Sequence, residues 1–321
     1  MSVKSPLLLL ADIGGTNTRV ALAQGETVLP DTVQRFRNAE FSSLGPVLRQ
    51  YAEARGGLDC QGACVAVAGP VKDGVATLTN LDWTIDHALL TDATGAETVD
   101  VLNDLQAQGH ALGHIADESL RCVVQGHSDA KDANRLVIGV GTGFNAAPVI
   151  QTGTTVAVPA SEAGHANLPI RTEADLRLAN YVEAAHGFPA VEDVLSGRGI
   201  ERIYAWLSAE AGEETSQTAA QIVEACQNGS DVRAEETLRT FIRVLGTEAG
   251  NLALVHLPFG GIYLVGGVSR HVAPWFSPYG FTDAFRDKGR FGPFMEAFSI
   301  YVVEDDYAAL SGCASYLSKL F

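Results

Sequence analysis

The sequence predicts an α/β protein of two related lobes with a cleft between them. Three observations predict it. Apolar runs ending in glycine turns alternate with helical periodicity along the chain. The opening strand–turn–strand unit occurs twice: LLLLADIGGTNTRVALAQGETV (7–28) lies over RLVIGVGTGFNAAPVIQTGTTV (135–156) with the same plan. And 321 residues suffice for two separate cores.

In the first third, Leu7–Ile13 is a continuous apolar run closing on glycines, as a buried strand does. Two short strands are expected at 19–23 and 32–36. Leu44, Val47, Leu48 and Tyr51 then recur at helical spacing between Ser42 and Arg55. Strands follow at 63–68 and 99–102, the latter ending at Asn103-Asp104, with a helix from Leu105 through His114. The order is strand, strand, strand, helix, strand, helix, strand, helix, with one more short strand near Val75–Leu78.

The second copy begins with a buried strand at 135–140, a Gly141-Thr142-Gly143 turn and strands at 146–150 and 154–158. Helices are expected at 173–186, 199–208, 218–227 and 231–257, strands at 261–265 and 300–303, and a closing helix over 307–320. No low-complexity linker or charge block divides the chain.

The net charge of -16 argues against a polyanionic partner, since nucleic acid or an anionic membrane needs a concentrated basic face. A nucleotide differs, because backbone N–H groups and a metal ion can hold its phosphates. The apolar run at 7–10 is far too short to cross a bilayer. Cys60, Cys64, Cys122, Cys226 and Cys313 form no disulfide framework, which predicts a reduced cytoplasmic protein with Cys60 and Cys64 buried around a strand start.

Asp12-Ile13-Gly14-Gly15-Thr16-Asn17 is the strongest chemical signal. A carboxylate at the end of a buried strand is expensive without a cationic or hydrogen-bonding partner, and two glycines let the backbone approach a ligand closely. Phosphate binding is favoured over a plain hairpin turn, although no Lys follows the glycines as in a Walker A loop. Gly141-Thr142-Gly143 gains weight from its equivalent place in the second copy, and Gly266-Gly267 is a third turn after an apolar strand.

Asn103-Asp104 admits two explanations, a helix N-cap or a carboxylate base for a substrate hydroxyl. Glu162 and His165 lie between Pro159 and Pro169 in a loop. They suit hydrogen bonds to a polyhydroxylated ligand better than metal chelation, which would want a helix and a second copy. Glu192 is open between a ligand role and an ordinary charge at a helix start.

DIGGTN at 12–17, TNLDW at 79–83, LND at 102–104, GTG at 141–143, EAGH at 162–165, EDVLSGRG at 192–199 and FRDKGRF at 285–291 occur in order. In order and spacing they resemble the bacterial glucokinase family, whose fold is the two-lobed, duplicated ribonuclease H-like fold of hexokinases and actin-like ATPases. The resemblance runs from about residue 7 to the C-terminus. It implies ATP and Mg²⁺ as donor assembly, with Asp12 acting on Mg²⁺–ATP. Gly14, Gly15, Thr16 and Asn17 would form the first phosphate loop, Gly141, Thr142 and Gly143 the second, and Gly266 and Gly267 would border the adenosine. It implies glucose held by Asn103, Glu162, His165 and Glu192, with Asp104 accepting the proton of the 6-hydroxyl. A small lobe of 1–113 plus 304–321, a large lobe of 114–303, closure over sugar and a homodimer are likewise implied.

Two positions depart from that pattern: Asn145 stands where GTGLG-type loops have glycine, and Ser161 where glycine is common. Both bear on nucleotide affinity or donor choice. The ROK branch of sugar kinases often carries a Cys/His cluster beside its sugar-binding His, and none follows His165. A sugar-sensing regulator usually adds an N-terminal DNA-binding module, and a first strand at Leu7 leaves no room for one. A kinase for another hexose or N-acetylhexosamine, and a silent sensor, are the competing possibilities.

Overall fold

In a computed structural model, which describes residues 5–321 apart from 79, 80, 129 and 131, the chain divides into two units. One runs to Ala116 and takes in Asp305–Phe321; the other is Asp117–Glu304.

The first unit is built on β1 (Leu7–Ile13), β2 (Asn17–Gln24), β3 (Thr27–Val28), β4 (Gln34–Arg37), α1 (Leu44–Glu53) and β5 (Gly62–Val67). There follow β6 (Val71–Lys72), β7 (Val75–Thr77), β8 (Thr84–Ile85), α2 (His87–Thr94), β9 (Thr98–Asn103) and α3 (Asp104–Ala111). The main sheet has the order β3-β2-β1-β5-β9, with β4 also on β2, and β6, β7 and β8 make a small separate sheet.

The apolar run of β1 is explained by burial on both faces. Leu9, Ala11 and Ile13 pack with Leu44, Val47, Leu48 and Tyr51, while Leu8 and Leu10 pack with Leu310, Cys313, Ala314 and Leu317 of the C-terminal helix Ala308–Ser318. That helix lies so close to α3 that a Cβ on Gly312 would fall 1.7 Å from the Ala107 carbonyl oxygen. Because β1, β5 and β9 are parallel and in register, Ile13, Val67 and Asn103 share one level. The strand ends carrying Asp12 and Asn103-Asp104 therefore open on the same edge, where ligands of α/β sheets bind.

In this unit one strand is displaced from expectation, and one expected helix takes the place foreseen for it. The strand expected at 32–36 is Gln34–Arg37, because Pro30–Thr32 forms a 3₁₀ turn in which the Thr32 hydroxyl donates to Leu29 O at 2.6 Å and accepts from Leu22 N at 2.9 Å. The helix expected between the strands at 63–68 and 99–102 is α2, started by Asp86, whose side chain accepts from Leu89 N at 2.8 Å, and ended by left-handed Gly95.

The second unit contains β10 (Leu120–Val124), β11 (Arg135–Val140), β12 (Phe144–Thr152), β13 (Thr155–Ala157), α4 (Glu173–His186), α5 (Val191–Val194), α6 (Gly197–Glu210), α7 (Ala219–Asn228) and α8 (Val232–His256). It continues with β14 (Ile262–Val265), α9 (Gly267–Val272), α10 (Phe281–Arg286) and β15 (Ile300–Val303). Its sheet order is β10-β15-β14-β11-β12-β13. The strands β13-β12-β11-β14-β15 repeat the plan β3-β2-β1-β5-β9, an antiparallel hairpin followed by two parallel partners. Helix α8 is the axis of this unit's core, with Leu238, Phe241, Ile242 and Leu245 fully buried. Arg243 on the same helix pairs with buried Asp175 of α4.

Among the described residues no helix is long and apolar enough to cross a membrane. All five cysteines are free; Cys60, Cys64, Cys226 and Cys313 are buried and Cys122 is exposed.

Candidate active site

In the first unit the 14–17 turn closes the β1–β2 hairpin, with Gly14 N donating to Asn17 O at 3.0 Å and Gly15 and Thr16 exposed at its tip. Its shape is imposed from outside. Asn38, 1% exposed, donates from Nδ2 to Gly14 O at 2.7 Å and from its backbone N to Thr16 O at 3.0 Å. Its Oδ1 accepts from the Thr18 hydroxyl at 2.8 Å. Beside the turn, Asp12 takes a hydrogen bond from Arg19 Nη1 at 3.1 Å. Burial pushes the Asp12 carboxyl above its ordinary range, and the Arg19 guanidinium draws it back only in part.

At the end of β9, Asn103 is the N-cap of α3. Its Oδ1 accepts from Leu105 N at 3.0 Å, its Nδ2 donates to Gly69 O at 2.9 Å, and its backbone N donates to Gln106 Oε1 at 3.2 Å. The capping box also brings the Gln106 backbone N–H to the Asn103 side chain, so capping occupies its oxygen and leaves one amide hydrogen. Asp104, half-buried, is the first residue of the helix, and its Oδ1 accepts from Leu105 N at 2.8 Å.

In the second unit three glycine-bearing turns converge. The 141–143 turn joins β11 to β12 with Gly141 N donating to Gly143 O at 2.9 Å. Gly197 N, at the start of α6, donates to Gly141 O at 2.8 Å. Gly266 follows β14 with φ of 101°, and a Cβ there would lie 2.4 Å from Val140 O, so only glycine fits. Gly267 opens α9, and its carbonyl accepts from His271 Nδ1 at 2.6 Å.

Glu192 bears on this group directly. Its Oε2 accepts from Phe144 N at 2.9 Å, and its Oε1 lies 3.6 Å from Arg198 Nη2. A Cβ on Gly143 would come within 2.4 Å of the same carboxylate. Glu162 precedes and His165 closes a 3₁₀ turn, Ala163–His165, with His165 Nε2 3.9 Å from Glu162 Oε2 and both side chains more than half exposed. This turn sits on the start of β12. A Cβ on Gly164 would lie 2.0 Å from Phe144 O, and Asn145 bonds to Ser161 O and Ala163 N.

A family model described as Glucokinase matches residues 9–320. The chain belongs to the glucokinase family. A glucokinase of Rhizobium johnstonii is 32% identical over 310 residues, which is 96% of this chain and 91% of that protein. A crystal structure of glucokinase from an Antarctic psychrotroph has a TM-score of 0.87 at 31% identity, covering 98% of this chain and 99% of that one. A ROK family glucokinase from Streptomyces griseus, solved in complex with glucose and AMPPNP, shares the fold with a TM-score of 0.62 at 20% identity, over 98% of this chain and all of that one. The duplicated α/β plan is that of the actin-like ATPase fold of these glucokinases.

Of the glucokinase motifs read from the sequence, Asp12, Gly14–Asn17, Asn103 and Asp104 lie at one sheet edge of the first unit, and Gly141–Gly143, Glu162, His165, Glu192 and Gly266–Gly267 lie in the second. Thr79 and Asn80 of the TNLDW motif fall outside the described residues; Trp83 of that motif is buried. Sequence reasoning missed Asn38, which shapes the first turn, and Ser196, whose buried hydroxyl donates to Glu192 O at 2.8 Å and accepts from Gly199 N at 3.0 Å. A signal for Asn38 was present: a polar FRNAE run where a strand ends, in a region otherwise read only for periodicity.

Proposed function

We propose that this chain transfers the γ-phosphoryl group of ATP to the 6-hydroxyl of glucose, giving glucose 6-phosphate and ADP. The observation that carries the proposal is the family match over residues 9–320, a span that includes every glycine turn and carboxylate described above. In-line transfer breaks the bond from the γ-phosphorus to the β,γ-bridging oxygen and forms one to the sugar oxygen, whose proton must go elsewhere. Asp104 is assigned as its acceptor. Asn103, Glu162, His165 and Glu192 are assigned to the sugar hydroxyls, which need donors and acceptors together.

The phosphates are assigned to the turns at 14–17 and 141–143, where exposed backbone at the tips leaves N–H groups for anionic oxygens. Gly266 and Gly267 would border the adenosine. Mg²⁺, arriving on the triphosphate, would neutralise charge on the transferring group. Asp12 suits that cation, since burial opposes its ionisation and Arg19 offsets this only partly. A homodimer in the cytoplasm completes the proposal, and light scattering of the purified protein tests its first half.

The test of the activity is coupled ADP release with Mg²⁺–ATP and glucose, mannose, fructose or N-acetylglucosamine, against a control without sugar. Glucose-dependent turnover exceeding that of the other sugars is expected. Turnover with another sugar alone reassigns the substrate. Silence with all, alongside glucose binding by calorimetry, makes the chain a sensor.

A further inference from the structure

Asn145 stands two residues beyond the second glycine turn, in β12 opposite Gly139. Its side chain reaches out of the sheet onto the segment that bears Glu162. The Nδ2 group donates to Ser161 O at 2.5 Å. Its Oδ1 accepts from Ala163 N at 2.9 Å and from Ala146 N at 2.8 Å. One amide thus grips the backbone on both sides of Glu162, the residue before it by its carbonyl and the residue after it by its N–H. The same stretch is seated at Gly164, where nothing larger than hydrogen fits against Phe144 O. The turn itself is held by Glu192 through Phe144 N.

We propose that Asn145 is a positioning residue for Glu162, holding the sugar-binding segment to the phosphate-binding hairpin so that glucose affinity depends on the turn's side of the sheet. The proposal rests on the glucokinase function above. A residue without an amide side chain at 145 would leave Ser161 O and Ala163 N without these bonds, so the tether belongs to Asn145 itself. Glu162 is more than half exposed, with His165 Nε2 3.9 Å from its carboxylate, so the hold on its backbone bears directly on where that carboxylate sits.

The experiment is a double-mutant cycle between Asn145→Ala and Glu162→Gln, reading KM for glucose, KM for ATP and kcat. Loss of two hydrogen bonds predicts that Asn145→Ala raises KM for glucose about tenfold with KM for ATP within about twofold. In the Glu162→Gln background the same change should raise KM for glucose by less than about twofold, since the group it aims is already gone. Multiplying effects, or a KM for ATP that moves as far as that for glucose, overturn the proposal. The tether is read independently by amide hydrogen exchange in the sugar-free protein. Asn145→Ala should speed exchange at the Ala163 amide about tenfold, and an unchanged rate overturns the proposal whatever the parent does to glucose. A parent that fails to phosphorylate glucose while Ala163 still loses protection refutes the kinase function and leaves the tether standing.

Discussion

Gly164→Ala tests the site at its tightest contact. The added Cβ would land 2.0 Å from Phe144 O, 3.0 Å from Phe144 C and 3.4 Å from Glu192 Cβ, where real contacts essentially never come under 3.0 Å. Phe144 cannot yield cheaply, because it is paired with Val140 in the β11–β12 ladder and its N–H is bound by Glu192. The segment carrying Glu162 and His165 must therefore back away by about 1 Å, a displacement that in a preorganised site costs on the order of 100-fold in rate. The overpacking itself should cost about 1–3 kcal/mol of stability, a drop in Tm of several degrees. The assay is coupled ADP release over a glucose series at saturating ATP, with circular dichroism and a thermal melt to establish that the variant is folded. A folded variant with kcat/KM for glucose within about threefold of the parent would refute the placement of this segment in the sugar site.

Asp104→Asn should lower kcat by about 10²–10⁴-fold while calorimetry finds glucose binding retained; normal turnover removes Asp104 from the base role. Asn38→Ala removes one side-chain hydrogen bond to the first glycine turn, at Gly14 O, and one to Thr18 beside it, so KM for ATP should rise about tenfold in initial-rate measurements with glucose affinity little changed. Buried His110, its ring 5.0 Å from that of Tyr316, is lowered to about 4 by burial, with Lys319 adding to the effect. The unfolded chain takes up this proton near the ordinary histidine value and the folded chain only near 4, so the contribution is complete above that ordinary value and is lost as pH falls toward 4. By pH 5 the loss is about 2 kcal/mol. Urea melts at pH 7 and pH 5 should therefore show the parent losing more stability than His110→Phe, and equal losses would exclude His110 as the cause.

The parts of the fold visible in the sequence are those where one physical demand dominates. Leu7–Ile13 and Arg135–Val140 are covered on both faces, so their apolar runs admit no other element, and Glu173–His186 carries its own capping box at Thr172 and Asp175 and a glycine stop at Gly187. Helices α5, α9 and α10 were not foreseen because four to six residues are too few to establish a period. Strand β10 hides for another reason: Leu120–Val124 buries only Val124 and pairs at the sheet margin with β15, so no strict alternation marks it. At the site, residue identities were legible and their partners were not. Asn145 drew notice only as a departure from a glycine pattern, since its grip on Ser161 and Ala163 spans 16 and 18 residues. At Asn103-Asp104 the structure shows the N-cap, made by Asn103, which keeps one amide hydrogen outside the cap.

The return of the C-terminal helix to the first unit has a consequence for biosynthesis. Leu8, Leu10, Cys64 and Ala66 are translated early, yet the residues that cover them, Leu310, Cys313, Ala314 and Leu317, follow the whole of Asp117–Glu304 off the ribosome. At ordinary elongation rates one face of the first sheet waits on the order of tens of seconds for its cover. During that wait the nascent chain presents an apolar surface that solvent, a neighbour on the polysome or a chaperone will meet first. The early unit is thus finished last, and a stop codon a few residues short of the helix would strand it open while leaving the middle of the chain intact.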